Sequence, residues 1–242
     1  MVFLLLAFAL GAVQYSGPLY HPVNVMLVLA LDSAGSACSV AVLRDGVVVA
    51  RRRALMARGQ SEVLVPMVGE VMTEAGLSFD HLDLLAASVG PGAFTGIRIG
   101  LATARALALA AAKPLAGIRT TDAIAAATDP DQRRNRLVMV VMESRRAELW
   151  VQCYDDTLTA LGPIQALTPQ QVAEAAGAGA VLLAGDGAAL VAPLLPQAML
   201  ARDCDHVDAV QVARLAIQGW PDAVLPPEPL YLRDADVTLA CA

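Results

Sequence analysis

The chain has 242 residues, of which 57% are hydrophobic, 17% charged and only 4% aromatic, and its net charge is −6. A chain of this length buries roughly 70% of its unfolded surface, so it can build a substantial core in one domain or two small lobes, and that core must come from alanine, valine and leucine. The acidic balance argues against independent, tight binding of nucleic acid, where neutralised phosphates supply most of the non-specific affinity. His21, His81 and His206 stand far apart with no H-x-x-x-H or H-E-x-x-H spacing, which argues against a histidine-based metal site.

The apolar run Val2–Val13 has 12 residues, too few to span a bilayer, and no basic residue precedes it as in a signal peptide. Residues 1–25 are therefore expected to be an over-extended start, with Met26 as the initiator. Leu27–Leu31 then ends in Asp32-Ser33, and Cys38–Leu43 leads to Asp45-Gly46. Asp-Gly between apolar runs signals a hairpin. A third strand is expected over Val47–Ala50, with Arg51 to Arg53 marking its exit into solvent. Ser61 to Ala75 carries Leu64, Met67, Val68, Val71 and Met72 at helical spacing, with Gly76 as its cap and Pro66 in its first turns. Leu84–Val89 reads as a strand broken by Gly90-Pro91-Gly92. Thr95 is the expected N-cap of a helix running to about Ala112.

After the polar stretch Asp129–Arg136, the expected boundary between lobes at 26–128 and 129–242, the order recurs. Leu137–Met142 ends in Glu143-Ser144 as the first strand ends in Asp32-Ser33, and Ala147–Tyr154 ends in Asp155-Asp156. A short strand near Leu158–Leu161, a helix opened by Thr168-Pro169, a strand Ala180–Ala184, a Gly185-Asp186-Gly187 turn and another helix complete it. A βββαβα unit given twice implies an α/β protein of two similar lobes, the second shorter, facing a cleft: the architecture of the actin, sugar-kinase and Hsp70 group.

Asp32 stands at a strand end beside Ser33, Ala34 and Gly35, where a ligand can approach the backbone, although from the spacing alone a plain Asx turn is the favoured reading. The turn Gly90-Pro91-Gly92 before the helix at Thr95 can present amides to an anion. Arg98, third in a helix capped by Thr95, would sit badly with the helix dipole. It calls for a phosphate, a carboxylate of this chain or a carboxylate of a partner. Gly96, Gly100, Ala104 and Ala108 place one small residue on each turn, so another backbone can come close. With Ile97 and Leu101, and with Leu64, Met67, Val68, Val71 and Met72 on the helix before, they form either a buried core or a face for a second subunit, and the residues alone leave both open. The four cysteines, Cys38, Cys153, Cys204 and Cys241, have no close pairing, as in a reduced cytosolic protein.

Several strings carry a family resemblance: Leu29-Ala30-Leu31-Asp32-Ser33, Ala37-Cys38-Ser39-Val40-Ala41, Ser61-Glu62 with Leu64 and Pro66, and above all Val89-Gly90-Pro91-Gly92-Ala93-Phe94-Thr95-Gly96-Ile97-Arg98-Ile99-Gly100. With Glu143-Ser144-Arg145, Glu148-Leu149-Trp150-Val151 and Tyr231-Leu232-Arg233, they resemble the TsaB family, once labelled glycoprotease-like, over nearly everything after Met26. The chain departs from the family pattern at Gln60, often histidine there, at Glu143-Ser144-Arg145, usually Asp-Ala-Arg, and in residues 1–25. The resemblance implies a cytoplasmic, actin-like, non-catalytic protein. It would work with TsaD, which carries metal and catalysis, and with TsaE to form N6-threonylcarbamoyladenosine beside the anticodon of tRNA. On that reading tRNA is met only through the complex, the chain has no cofactor or metal of its own, and it does not engage a membrane. Whether ATP or ADP lodges at the partner interface, and whether the chain pairs with itself, stay open. Two other functions compete: a small-molecule kinase using Asp32 and the Gly90–Gly96 loop on ATP, and, last, a peptidase.

Overall fold

The structure, a computed structural model, describes residues 25–232. The proposed start at Met26 concerns residues that lie, apart from Val25, outside the described part, as do Arg233 and Cys241. The first half runs β1 (Leu27–Asp32), β2 (Ala37–Arg44), β3 (Val47–Leu55), α1 (Gln60–Ala75), β4 (Leu84–Gly90), α2 (Phe94–Ala111), β5 (Leu115–Arg119) and α3 (Thr120–Ala126). After α4 (Pro130–Arg133) come β6 (Leu137–Glu143), β7 (Leu149–Tyr154), β8 (Gln165–Leu167), α5 (Pro169–Ala176), β9 (Val181–Ala184), α6 (Ala188–Val191), β10 (Ala198–Leu200) and α7 (Ala209–Gly219).

The sheets are β3-β2-β1-β4-β5 and β8-β7-β6-β9-β10, the same order twice, with the first three strands antiparallel and the rest parallel. The repeated unit is thus longer than the βββαβα expected, since each half adds a fifth strand and a further helix.

The central strands are apolar without interruption because both of their faces are covered. Val28 and Ala30 of β1 face one core while Leu29 and Leu31 face another, and β6 divides its Val138, Val140 and Met142 from Met139 and Val141 in the same way. The result is five layers. α1 and α2 cover the outer face of the first sheet, and α5 and α6 cover the outer face of the second. Between the sheets lies a shared core containing α3 and α7. α7, from the second half of the chain, packs mainly on β1, β2 and β4 of the first sheet. Its first turn is fixed there by the Ala209 amide, which donates to the Ser39 hydroxyl at 3.0 Å. Tyr154 of β7 donates its hydroxyl to Asp122 of α3 at 2.6 Å, a second tie between the halves.

Three expectations are corrected. Arg51, Arg52 and Arg53 do not leave the sheet but continue β3, an edge strand, paired with Ala41, Val40 and Ser39. Arg52 there reaches Glu70 and Glu74 of α1, and cations along such an edge discourage pairing with another chain. The third strand of the second unit is Gln165–Leu167 rather than Leu158–Leu161. The earlier segment is taken by a turn in which Asp155 Oδ1 accepts from the Thr157 and Thr159 amides, both at 2.9 Å. Finally, α2 begins at Phe94 with Ala93 as its N-cap, not with Thr95.

The core reading of the two long helices prevails over the contact reading. Leu64, Met67, Val68, Val71 and Met72 of α1 and Ile97, Gly100, Leu101, Ala104 and Ala108 of α2 are all buried within the chain. α2 is long and apolar enough, by length and composition, to cross a membrane. Here it lies against β4 and β1.

Candidate functional site

The carboxyl ends of β1, β4 and β6 meet at a cleft between the two sheets, a cavity of about 690 Å³. The first half lines it with the β1–β2 turn (Ala34, Gly35, Ser36), the β3–α1 loop (Arg58 to Ser61) and the β4–α2 junction (Pro91 to Ile97). The second half contributes Glu143, Ser144, Arg145, Arg146, Trp150 and Asp186. Leu230, Tyr231 and Leu232 close one side.

The expected ligand-facing residues divide into two groups. Pro91, Gly92 and Thr95 line the cleft; Asp32, Ser33, Gly90 and Arg98 do not. Asp32 is 1% exposed and lies beneath the turn. Its Oδ1 accepts from the Ser88 hydroxyl and from the Ala34 amide, the Asx arrangement, while Oδ2 is buried without a hydrogen-bond partner. Burial pushes its carboxyl up to about 6, against the opposing pull of the Ser88 hydrogen bond. Ser33 is turned inward as well, its hydroxyl donating to the Gly96 carbonyl at 2.8 Å.

The glycine-rich string serves this same internal contact. A Cβ on Gly96 would stand 2.1 Å from the Ser33 carbonyl oxygen, one on Gly92 2.4 Å from that of Ala34, and one on Gly100 2.7 Å from Ser33 Oγ. The backbone that approaches the small-residue stripe of α2 is therefore the chain's own β1–β2 turn. The Ala93 amide donates to the Ala34 carbonyl at 2.7 Å and completes the seam.

Arg98 is corrected along with the cap. With Phe94 first, it is the fifth helical residue, beyond the first turn where the dipole acts strongly. Its guanidinium lies 3.6 Å from the centre of the Phe94 ring, and its Nε donates to the Tyr231 hydroxyl at 2.8 Å. Aromatic faces and a phenol take the place of the expected anion.

Gln60, the departure from histidine, donates to the carbonyls of Gly35 and Met56, each at 3.4 Å, tying together the two loops at the cleft rim. The second half repeats the glycine device. A Cβ on Gly185 would stand 2.2 Å from the Val141 carbonyl oxygen, and the Glu143 amide donates to Asp186 at 2.8 Å. Burial raises the Asp186 carboxyl pKa. The cleft residues Arg58 and Arg146 lie in no motif, whereas Trp150 stands in a string that carries the family resemblance and Asp186 in the Gly185-Asp186-Gly187 turn. Aligning the internal repeat, which pairs Gly185-Asp186-Gly187 with Gly90-Pro91-Gly92, would have pointed to Asp186. Among the described residues no three His, Cys, Asp or Glu side chains are grouped to hold a metal ion.

Residues 54–182, from the end of β3 into β9, match the family described as TsaD: tRNA N6-adenosine threonylcarbamoyltransferase. An uncharacterized protein of Mycobacterium tuberculosis is 32% identical over 217 residues, 88% of this chain and 95% of its own. The tRNA threonylcarbamoyladenosine biosynthesis protein TsaB of Escherichia coli is 37% identical over 125 residues, 52% of this chain and 53% of its own. YeaZ from Pseudomonas aeruginosa, a TsaB homologue, superposes with a TM-score of 0.72 at 26% identity, over 86% of this chain and all of that one. The chain belongs to the TsaB family. Its fold is the one expected of a TsaB-family protein, an actin-like duplication of a single α/β unit. Family membership supports a role in tRNA threonylcarbamoyladenosine biosynthesis.

Proposed function

We propose that this chain is a non-catalytic partner of TsaD in forming N6-threonylcarbamoyladenosine beside the tRNA anticodon in the cytoplasm, with TsaE as a third component and tRNA held through the complex. One observation carries this reading. The strand-end carboxylate that an actin-like kinase would turn toward metal and phosphate, Asp32, is sealed under the β1–β2 turn and bonded to Ser88 and Ala34. The junction glycines pack against the Ser33 and Ala34 backbone, while Pro91, Gly92 and Thr95 line the cleft. The kinase reading needs the carboxylate open to the cleft as well, and Asp32 does not line it. The peptidase reading needs a histidine beside a nucleophile, but His81 is engaged by Ser78 and neither it nor His206 lines the cleft. On this reading the chain has no nucleotide of its own, and any ATP or ADP sits where TsaD meets it.

With the inner faces of α1 and α2 committed to the core, docking falls to their outer faces. Val65 is 56% exposed and Leu109 84% exposed, with Pro66, Ala102, Ala106 and Ala110 also exposed between polar residues. Apolar surface left in water on small side chains lets a partner helix come close, and the same face would serve a homodimer when TsaD is absent.

The test is co-purification with TsaD of the same organism. The wild type should co-elute, and the double variant Val65→Glu with Leu109→Glu should not, while keeping its melting temperature. Ala104→Arg is unsuitable as a probe because Ala104 is fully buried. ATP turnover or RNA modification by the purified chain alone would reject the non-catalytic reading. Unimpaired co-elution of the double variant would reject this face.

A further inference from the structure

The segment that follows α7 is built into the fold in an unusual way. Leu225 and Gly117 exchange both backbone hydrogen bonds, at 2.8 and 2.9 Å, so the segment adds a single antiparallel bridge to the open edge of β5. Two turns apart along α2, Arg105 donates from Nε and Nη2 to the Pro227 carbonyl at 3.0 and 2.6 Å, and Arg98 donates to the Tyr231 hydroxyl at 2.8 Å. The Leu230 amide donates to the Val89 carbonyl at 2.7 Å, and the Tyr231 ring lies 5.1 Å from that of Phe94. Glycines make room for the segment at both ends. A Cβ on Gly117 would stand 2.5 Å from the Pro226 carbonyl oxygen, and one on Gly90, whose φ is +117°, 2.8 Å from that of Leu230.

This seat is specific but shallow. Leu225 and Leu230 pack against the edge of the outer core of the first sheet, but both are only partly buried and no residue from 221 to 232 is fully buried. A segment held mainly by exposed hydrogen bonds opens locally, below the cost of global unfolding. Pro226, Pro227 and Pro229 keep the segment extended when it is released, which lowers the entropy lost each time it reseats. The acceptors facing Arg98 and Arg105 are a phenol and a carbonyl, both neutral, so these two contacts lack the strength of an ion pair. Leu230, Tyr231 and Leu232 form part of the cleft wall.

We propose that residues 225–232 are a latched lid on the cleft between the sheets. Arg98 and Arg105 are the latch, and the lid opens as a unit while both sheets stay folded. Opening widens the cleft mouth and uncovers Phe94, the first turn of α2 and the edge of β5.

Hydrogen exchange on the full-length protein tests this, comparing the wild type with the double variant Arg98→Ala, Arg105→Ala. In the wild type the amides of Leu225 and Leu230 should be protected. In the variant they should exchange about tenfold faster or more, as expected when hydrogen bonds from charged donors are lost, and the amides of Val181 to Ala184 should not change. Tyr231→Phe, which removes one acceptor and keeps the ring, should give a smaller increase at Leu230. Access to the cleft is read from maleimide labelling of Gly35→Cys, on a background with Cys153 and Cys241 changed to serine. Labelling should be several-fold faster when the latch arginines are absent. Equal exchange of Leu225 and Leu230 in wild type and both variants would overturn the latch. Faster exchange that spreads to Val181 to Ala184 would make the arginines part of global stability, and unchanged labelling would show that the segment does not cover the cleft.

Discussion

The two halves solve one geometric problem with the same backbone and opposite side-chain chemistry. In each, the first strand ends in a carboxylate and a serine, and a glycine-bearing strand-to-helix junction is pressed against that strand end: Gly92 and Gly96 against Ala34 and Ser33, Gly185 against Val141. In the first half Asp32 and Ser33 turn inward and are spent on holding the junction. In the second half Glu143, Arg145 and Arg146 stay exposed at the cleft. The steric seam recurs in both halves, while only the second half turns its strand-end carboxylate to the cleft.

If the seam is equivalent in both halves, breaking it should cost about the same in each. Gly96→Ala and Gly185→Ala each drive a Cβ to within 2.2 Å of a backbone oxygen, that of Ser33 in the β1–β2 turn and that of Val141 in β6. Gly185 also sits at φ +96°, which strains any other residue. Each variant should lose about 3 kcal/mol or more in denaturant unfolding. Gly35→Ala, where nothing lies within 4 Å of the new Cβ, should be close to neutral. A near-neutral Gly96→Ala would mean that the first seam is held by something other than contact.

Each half places beside its seam a carboxylate whose pKa burial raises, and both should respond to pH. Asp32 has its pKa raised to about 6 from 3.8 by burial, so the folded state holds its proton more tightly than the unfolded chain does. Its stabilising contribution is fully present below about pH 4 and is lost as pH rises through about 6, to a limit of about 3 kcal/mol. The Asp32→Asn variant cannot titrate there. Relative to wild type it should gain stability between pH 4 and pH 7, measured as the difference between the two proteins so that other carboxylates cancel. Asp186 is shifted in the same direction, and Asp186→Asn should show the same sign. A flat difference for Asp32→Asn would place that carboxylate in contact with water.

Much of the fold was legible because covering both faces of a sheet demands it: Leu27–Leu31 and Leu137–Met142 are unbroken apolar runs only where water reaches neither side. The paired endings Asp32-Ser33 and Glu143-Ser144 likewise disclosed the repeat. The covered side of α2 was not legible, since alanine or glycine on nearly every turn gives the helix no contrast between its faces. The role of the glycine string was equally hidden, because a phosphate and the chain's own carbonyl impose the same requirement, the absence of a Cβ. The seat of the segment after α7 has no periodicity to announce it. It depends on Gly117, Arg98 and Arg105, over 100 residues earlier in the chain.

The smallest effect is also the most discriminating, because it compares two serines at matching positions. Ser33 is buried, and its hydroxyl reaches across 63 residues to the Gly96 carbonyl, which the same seam keeps from water. Ser144 is half-buried, and its hydroxyl donates to Glu148 within its own turn. Ser33→Ala removes a buried hydrogen bond across the seam and leaves the Gly96 carbonyl with its helical partner alone, whereas near the surface water can replace a lost partner. Ser33→Ala should therefore cost about 1–2 kcal/mol and Ser144→Ala about 0.5 kcal/mol in chemical denaturation. Equal losses would mean that the second turn is as firmly built as the first, and the cleft would then be a rigid cradle on both sides instead of a fixed wall facing an adaptable one.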